Sequence, residues 1–172
     1  MLVRHLQQFA TWINKIVEYL CGTLLGILTL TVLVGVFFRY VLIKPLGWTE
    51  ELARYLMIWT ASLAISVGIF RGEHIGLTFI PDRIKGKLPS LILSVTIDLF
   101  VLIFLTVLFY FSIPMVQQGK FQIAQSLPIK MTIPMLSIPV SMVLALVQLG
   151  IKLYLTLAGT SFKFEEKSHI DL

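Results

Sequence analysis

Four uncharged, strongly apolar runs at residues 19–38, 55–70, 99–119 and 131–151 dominate this chain of 172 residues. They measure 20, 16, 21 and 21 residues. A helix rises about 1.5 Å per residue, so about 20 residues cross the roughly 30 Å hydrocarbon layer, where every backbone N–H and C=O needs a partner within its own segment. The chain is 57% hydrophobic and only 13% charged, with a mean hydropathy of +0.90; a soluble domain carries about a quarter charged residues. The reading is an all-α integral membrane protein, a single membrane domain over residues 1–172. It has four transmembrane helices at about 16–38, 50–70, 89–112 and 133–158, an N-terminal amphipathic helical arm over 1–15, and short interfacial segments between spans. This layout leaves no room for a separate nucleotide-binding or catalytic domain.

Arg4, His5, Gln7, Gln8, Asn14, Lys15 and Glu18 make the leading region too long and polar for a cleavable secretory signal. Leu2, Leu6, Phe9, Ile13, Ile16 and Leu20 recur at spacings of 4, 3, 4, 3 and 4, one face of a helix that enters the first span from the membrane interface. Of the basic residues outside the spans, nine fall on the side of the termini and five on the other. By the positive-inside rule both termini are expected in the cytoplasm.

The second span has the shortest charge-free run. Thr49 is a suitable N-cap, and Glu50 and Glu51 then occupy a first turn that favours negative charge. Glu50 and Arg54 stand four apart, the spacing of a helix-surface ion pair, with Trp48 and Tyr55 as aromatic anchors at the same depth. Thr60, Ala64 and Gly68 repeat at every fourth position, as do Gly22 and Gly26, which suits close approach of helices in lipid. Within the chain, such contacts would hold the four spans together. The segment 71–88 reads as a short interfacial element, and 113–127 as an amphipathic turn or two on the outer surface. The last span is expected to start near Pro134 and bend at Pro139, with Lys152 snorkelling to the inner interface. The tail 161–172 is polar.

Asp98 alone lies deep in an apolar stretch, about 13 Å along the third helix. A carboxylate in lipid demands a partner, and two readings stand: a proton or sodium carrier, or a lock between helix three and a Ser, Thr or Arg nearby. The rest of the chemistry is sparse. Cys21 is the sole cysteine, which excludes a disulfide within the chain, and His5, His74 and His169 lie outside the spans, where they cannot form a haem pair. No metal cluster, phosphate loop or nucleophile elbow stands out, so no cofactor, metal site or enzymatic activity is expected. The 14 basic residues form no stripe, which argues against nucleic acid despite a net charge of +5.

The stretch FFRYVLIKPLGWTEELARYLMIWTASLAISVGIFRGEHIGL, residues 37–77, resembles the small membrane subunit of tripartite ATP-independent periplasmic (TRAP) transporters, the DctQ-type subunit. The resemblance rests on Arg39-Tyr40, Trp48-Thr49-Glu50-Glu51 with Arg54, Trp59, Arg71-Gly72 and His74-Ile75, in order and over about a quarter of the chain. It implies a bacterial inner-membrane protein that works in an obligate complex with a large membrane subunit and a periplasmic substrate-binding protein. That transporter takes up organic acids, C4-dicarboxylate or sialic acid in type, on the sodium gradient. The small subunit would be non-catalytic, a scaffold for the large subunit that helps dock the binding protein. Under this resemblance Arg39, Trp48, Glu50, Glu51, Arg54, Trp59, Arg71 and His74 are candidate contacts to partner subunits or phospholipid, with Arg39 a candidate ion-pair partner for Glu50 or Glu51 and Asp98 a buried polar residue. The competing reading is a self-sufficient, proton-coupled four-helix exporter that uses Asp98.

Overall fold

The computed structural model describes residues 2–71 and 87–157. Over these, the chain forms α1 (Leu2–Tyr40), α2 (Gly47–Arg71), α3 (Lys87–Gln118), a 3₁₀ turn (Gly119–Phe121), α4 (Thr132–Met135) and α5 (Ser137–Leu157). Four helical stretches are long and apolar enough to cross a membrane: Arg4–Tyr40, Gly47–Arg71, Ile92–Phe121 and Thr132–Thr156. His74, most of the expected interfacial segment 71–88, and the tail lie outside the described residues.

The N-terminal arm and the first span are one uninterrupted helix of 39 residues, about 58 Å long. It ends where Ile43 adopts a left-handed conformation, φ 52°, while Leu42 and Lys44 donate backbone N–H bonds to Phe37 O and Phe38 O. A β-branched residue there is strained, since its Cβ crowds the backbone. Helix α2 opens two residues before the expected cap. Thr49 therefore does not cap it: its hydroxyl donates to Leu46 O at 2.7 Å, and its buried side chain fills the space beside Gly35 of α1. A Cβ at Gly35 would stand 2.9 Å from Thr49 Oγ1, so the missing side chain sets the distance between the two helices. The glycines expected to draw the chain's own helices together do not set a distance among the described residues, because a Cβ at Gly22, Gly26 or Gly68 would meet nothing within 4 Å.

Helix α3 runs through Pro114 to Gln118 instead of stopping near 112. Proline removes a single helical N–H, and its cost is local. After the 3₁₀ turn the chain doubles back through an antiparallel bridge between Ile123 and Lys130. Gly119 is buried against α4, where a Cβ would come 3.0 Å from Thr132 N and 2.7 Å from Met135 Sδ. The break between α4 and α5 falls at Leu136; Pro139 cannot supply the N–H that Met135 O would accept, and Ser137 donates its hydroxyl to Pro134 O at 2.7 Å.

The helices stand in a row. Helix α1 packs on α2, α2 on α5 and α5 on α3; α1 also meets α5 over a small area, while among the described residues the backbone of α3 approaches neither α1 nor α2. The central core joins Ile69 of α2 and Leu105 of α3 to Met142, Ala145 and Leu149 of α5. Burial follows position in the row: 39% of the most apolar window of the last span is buried, against 6% for the first and 11% for the third. A row of amphipathic soluble helices would close on itself to hide apolar faces, but lipid or another membrane protein removes that pressure.

Candidate functional site

Among the described residues, three ion pairs and one loop clamp join distant parts of this row. At the turn end of the α1–α2 hairpin, Arg39 Nη2 is paired with Glu50 Oε1. The spacing had suggested Arg54 as the partner of Glu50, while the reading of the hairpin rim also offered Arg39 to one of the two glutamates, and it is the Arg39 pairing that the structure shows. Arg54 is exposed and makes no ion pair among the described residues, because Arg39, at the end of the antiparallel neighbour, reaches the carboxylate first. Trp48 lies beside this pair in sequence and is partly exposed, and Trp59, half-buried, sits further along α2.

One residue further, Glu51 is turned inward. Its Oε1 accepts the N–H of Gln125 at 2.9 Å and its Oε2 those of Ser126 and Leu127 at 2.6 and 3.1 Å. The Tyr55 hydroxyl donates to the same carboxylate at 2.6 Å and rests 3.1 Å from Met131 Sδ. Three consecutive amides aimed at one carboxylate form an anion-binding concavity, here filled by the chain's own side chain. The hairpin-like segment between α3 and α4 is thus fixed onto the first turns of α2. Nothing in the spacing of Glu51 pointed to loop amides 74 to 76 positions away.

At the open end of the hairpin, Arg71 donates to Glu18 Oε1 from Nε at 3.0 Å and from Nη2 at 2.7 Å, and Asn14 Nδ2 adds a third bond at 2.8 Å. A shallow groove beside this pair is lined by Glu18, Cys21, Ala64, Val67, Gly68 and Arg71. Glu18 was read only as part of a polar leading region. Its pairing joins positions 53 apart, beyond any local pattern.

Deep in the row, Asp98 meets Lys152 Nζ at 2.9 Å, with side-chain exposures of 1% and 17%. Lys152, on a neighbouring helix, is a partner that the expected set of Ser, Thr or Arg did not include, and it turns to the interior instead of only snorkelling outward. The stripe that carries it is polar along α5: Ser137, Ser141 and Gln148 are buried on the helix with Lys152. The Ser137 hydroxyl donates back across the break to Pro134 O of α4, and that of Ser141 to Ser137 O of its own helix. A buried carboxylate and ammonium neutralise one another, which keeps both tolerable in a low-dielectric interior. Among the described residues no group of three or more His, Cys, Asp or Glu is placed to hold a metal ion.

Comparison with known proteins places these features in a context. Residues 28–159 match the family model described as the DctQ component of tripartite ATP-independent periplasmic transporters. A TRAP transporter small permease protein of Haemophilus influenzae is 30% identical over 79 residues, which is 46% of this chain and 49% of that protein. The sialic acid TRAP transporter small permease protein SiaQ of Vibrio cholerae is 32% identical over 90 residues, 52% of each chain. The sialic acid TRAP transporter permease protein SiaT of Haemophilus influenzae is 33% identical over 99 residues, 57% of this chain but 16% of SiaT. The chain thus spans about half the length of the small-permease relatives it matches.

Proposed function

The chain belongs to the family of DctQ components of tripartite ATP-independent periplasmic transporters, and on that premise we propose that it is a non-catalytic scaffold subunit for a larger membrane permease. The observation that carries the reading is the match to SiaT, in which a segment like this chain forms a small part of a much larger permease. That likeness to a stretch of a larger permease supports a chain that works joined to such a permease. The row supports the same reading: α1 and α3 leave most of their apolar surface uncovered, and a second membrane protein can cover one side of the row while lipid covers the other. Gly22 and Gly26, with open space beside them, let a helix of that partner approach α1 closely.

In this assignment the transporter imports an organic acid, of the sialic acid or C4-dicarboxylate type, coupled to sodium, and the solute and sodium sites lie on the large permease. The chain sits in the bacterial inner membrane with both termini cytoplasmic, so the turn end of the α1–α2 hairpin faces the periplasm. There Arg39, Trp48, Glu50 and Arg54 form a rim that contacts the large permease or the substrate-binding protein. Glu51 acts indirectly, by fixing the neighbouring loop. Trp59 and Arg71 contact the large permease or phospholipid within and at the opposite end of the span, and His74 is assigned to the same class on the resemblance alone. The pairing of Asp98 with Lys152 favours a structural lock over a carrier.

Affinity purification of the tagged chain from cells that express its neighbouring transport genes tests the assignment. The expected result is recovery of a large membrane permease in stable proportion through detergent washing. Recovery of the chain alone, with the large permease fully active without it, would overturn the scaffold role.

A further inference from the structure

The surface of α3 that faces away from the core divides lengthwise into two strips of different chemistry. Phe100, Phe104, Val107 and Phe111 follow one another at spacings of 4, 3 and 4, are all exposed, and carry no polar side-chain atom. Beside them Leu99, Ile103, Thr106 and Tyr110 repeat the same spacing and are exposed too. The Thr106 hydroxyl donates to Leu102 O of its own helix at 2.8 Å. Tyr110 is different: it is 69% exposed, its ring meets Phe111 edge-on with centroids 5.5 Å apart, and among the described residues its hydroxyl has no hydrogen-bond partner.

Depth makes that hydroxyl costly. Towards the C-terminal end of α3 the next exposed polar side chain, Gln117, stands seven positions on, about 10 Å along the axis, and the ring of a helical tyrosine leans the other way, towards the helix N-terminus. In that direction the nearest charge, Asp98, is twelve positions off, about 18 Å. The other four tyrosines escape the difficulty, because Tyr19, Tyr40 and Tyr154 stand within two positions of Glu18, Arg39 and Lys152, and Tyr55 donates to Glu51. Lipid ester and headgroup oxygens lie outside the hydrocarbon and water is excluded from it, so at the depth of Tyr110 an acceptor comes only from another protein segment within the membrane.

We propose that the strip of Leu99, Ile103, Thr106 and Tyr110 is the surface of α3 on which a transmembrane helix of the large permease packs, with the Tyr110 hydroxyl donating to an oxygen of that helix. The acceptor is a side-chain amide or hydroxyl oxygen, or a carbonyl freed at a helix break. The phenylalanine strip beside it faces acyl chains, so the boundary between protein and lipid runs along α3. The proposal rests on the scaffold reading and extends it from an uncovered row to one surface and one donor.

The test places the photo-cross-linking residue benzoylphenylalanine at position 110 of the full chain, expressed with its neighbouring transport genes, and irradiates the membranes. Position 110 is expected to give an adduct with the large permease, whereas the same residue at position 104, about 120° round the helix, gives adducts with lipid. In the complex without cross-linker, Tyr110→Phe removes the hydroxyl alone and is expected to weaken the association by about threefold to tenfold, as loss of one hydrogen bond between membrane helices does, read from permease recovered on serial dilution in detergent. Adducts from 110 only with lipid or only with a second copy of this chain, equal permease adducts from 110 and 104, or a Tyr110→Phe chain that holds the permease as firmly as before would each overturn the proposal and leave the scaffold reading in place. Failure to recover any permease with the unsubstituted chain would overturn the scaffold reading, and the proposal with it.

Discussion

Arg71 holds Glu18 by two hydrogen bonds, at 3.0 and 2.7 Å, and so ties the open end of the α1–α2 hairpin as Arg39 and Glu50 tie its turn end. The two paired residues stand 21 positions apart on α1 and 21 positions apart on α2. That is about 31 Å of helix, the thickness of a bilayer's hydrocarbon core. The charges therefore frame the apolar slab from both sides, and the hairpin is matched to the membrane by its own ion pairs.

This frame predicts which residues reach water. In a Cys21→Ala background, Tyr40→Cys should react from the periplasmic side with a membrane-impermeant maleimide in intact cells. Tyr19→Cys should react only after the membrane is opened. Labelling of both from the same side would contradict the frame and the proposed orientation together.

Asp98 and Lys152 predict an asymmetry between single and double substitution. Asp98→Leu leaves a buried ammonium uncompensated and should lower stability by about 3–5 kcal/mol, and Lys152→Met should act comparably from the other side. The double variant should recover more than half of the loss, read from thermal unfolding in detergent. Additive losses in the double variant would mean that the pair does not couple α3 to α5.

Much of this fold was legible from the residues, for reasons that also explain what was not. The apolar runs locate the spans because lipid imposes a length and a composition on any helix that crosses it. Helix ends were less legible: Thr49 has the chemistry of a cap, yet its hydroxyl is used against Leu46 O and its bulk against Gly35. Beside the local bonds of Asn14 to Glu18 and Tyr55 to Glu51, the contacts that tie Glu18, Glu51 and Asp98 to other elements reach 53, 74 and 54 positions away. Such contacts are set by which helices become neighbours, and no local periodicity records that order. The row itself was equally hidden, since a bundle and a row need the same four apolar segments.

The clamp on the loop between α3 and α4 depends on one carboxylate. A charge-assisted hydrogen bond contributes about 1.5–3 kcal/mol, so Glu51→Ala should speed amide hydrogen exchange at Gln125, Ser126 and Leu127 by roughly tenfold or more. Exchange in the middle of α5 should be unchanged. Unaltered exchange at the three amides would show that the loop is held by its own bridge alone.

Glycines divide into two classes with opposite expectations. Gly35→Leu and Gly119→Ala push a side chain against Thr49 and against the backbone of Thr132, and each should lower stability by about 1–3 kcal/mol. Gly22→Ala and Gly26→Ala meet open space and should be neutral or slightly stabilising in the isolated chain, as helix propensity dictates. If a partner helix lies there, the same two changes weaken co-purification of the large permease. Thermal unfolding of the chain alone and recovery of the complex separate these effects.

The central claim, that solute crosses the membrane through a companion and never through this chain, is tested most directly by uptake into sodium-energised vesicles. Vesicles that hold this chain together with the large permease, supplied with the binding protein and organic acid, are predicted to accumulate the acid. Vesicles that hold this chain alone are predicted to accumulate none. Accumulation by the chain alone, abolished by Asp98→Asn, would contradict the account.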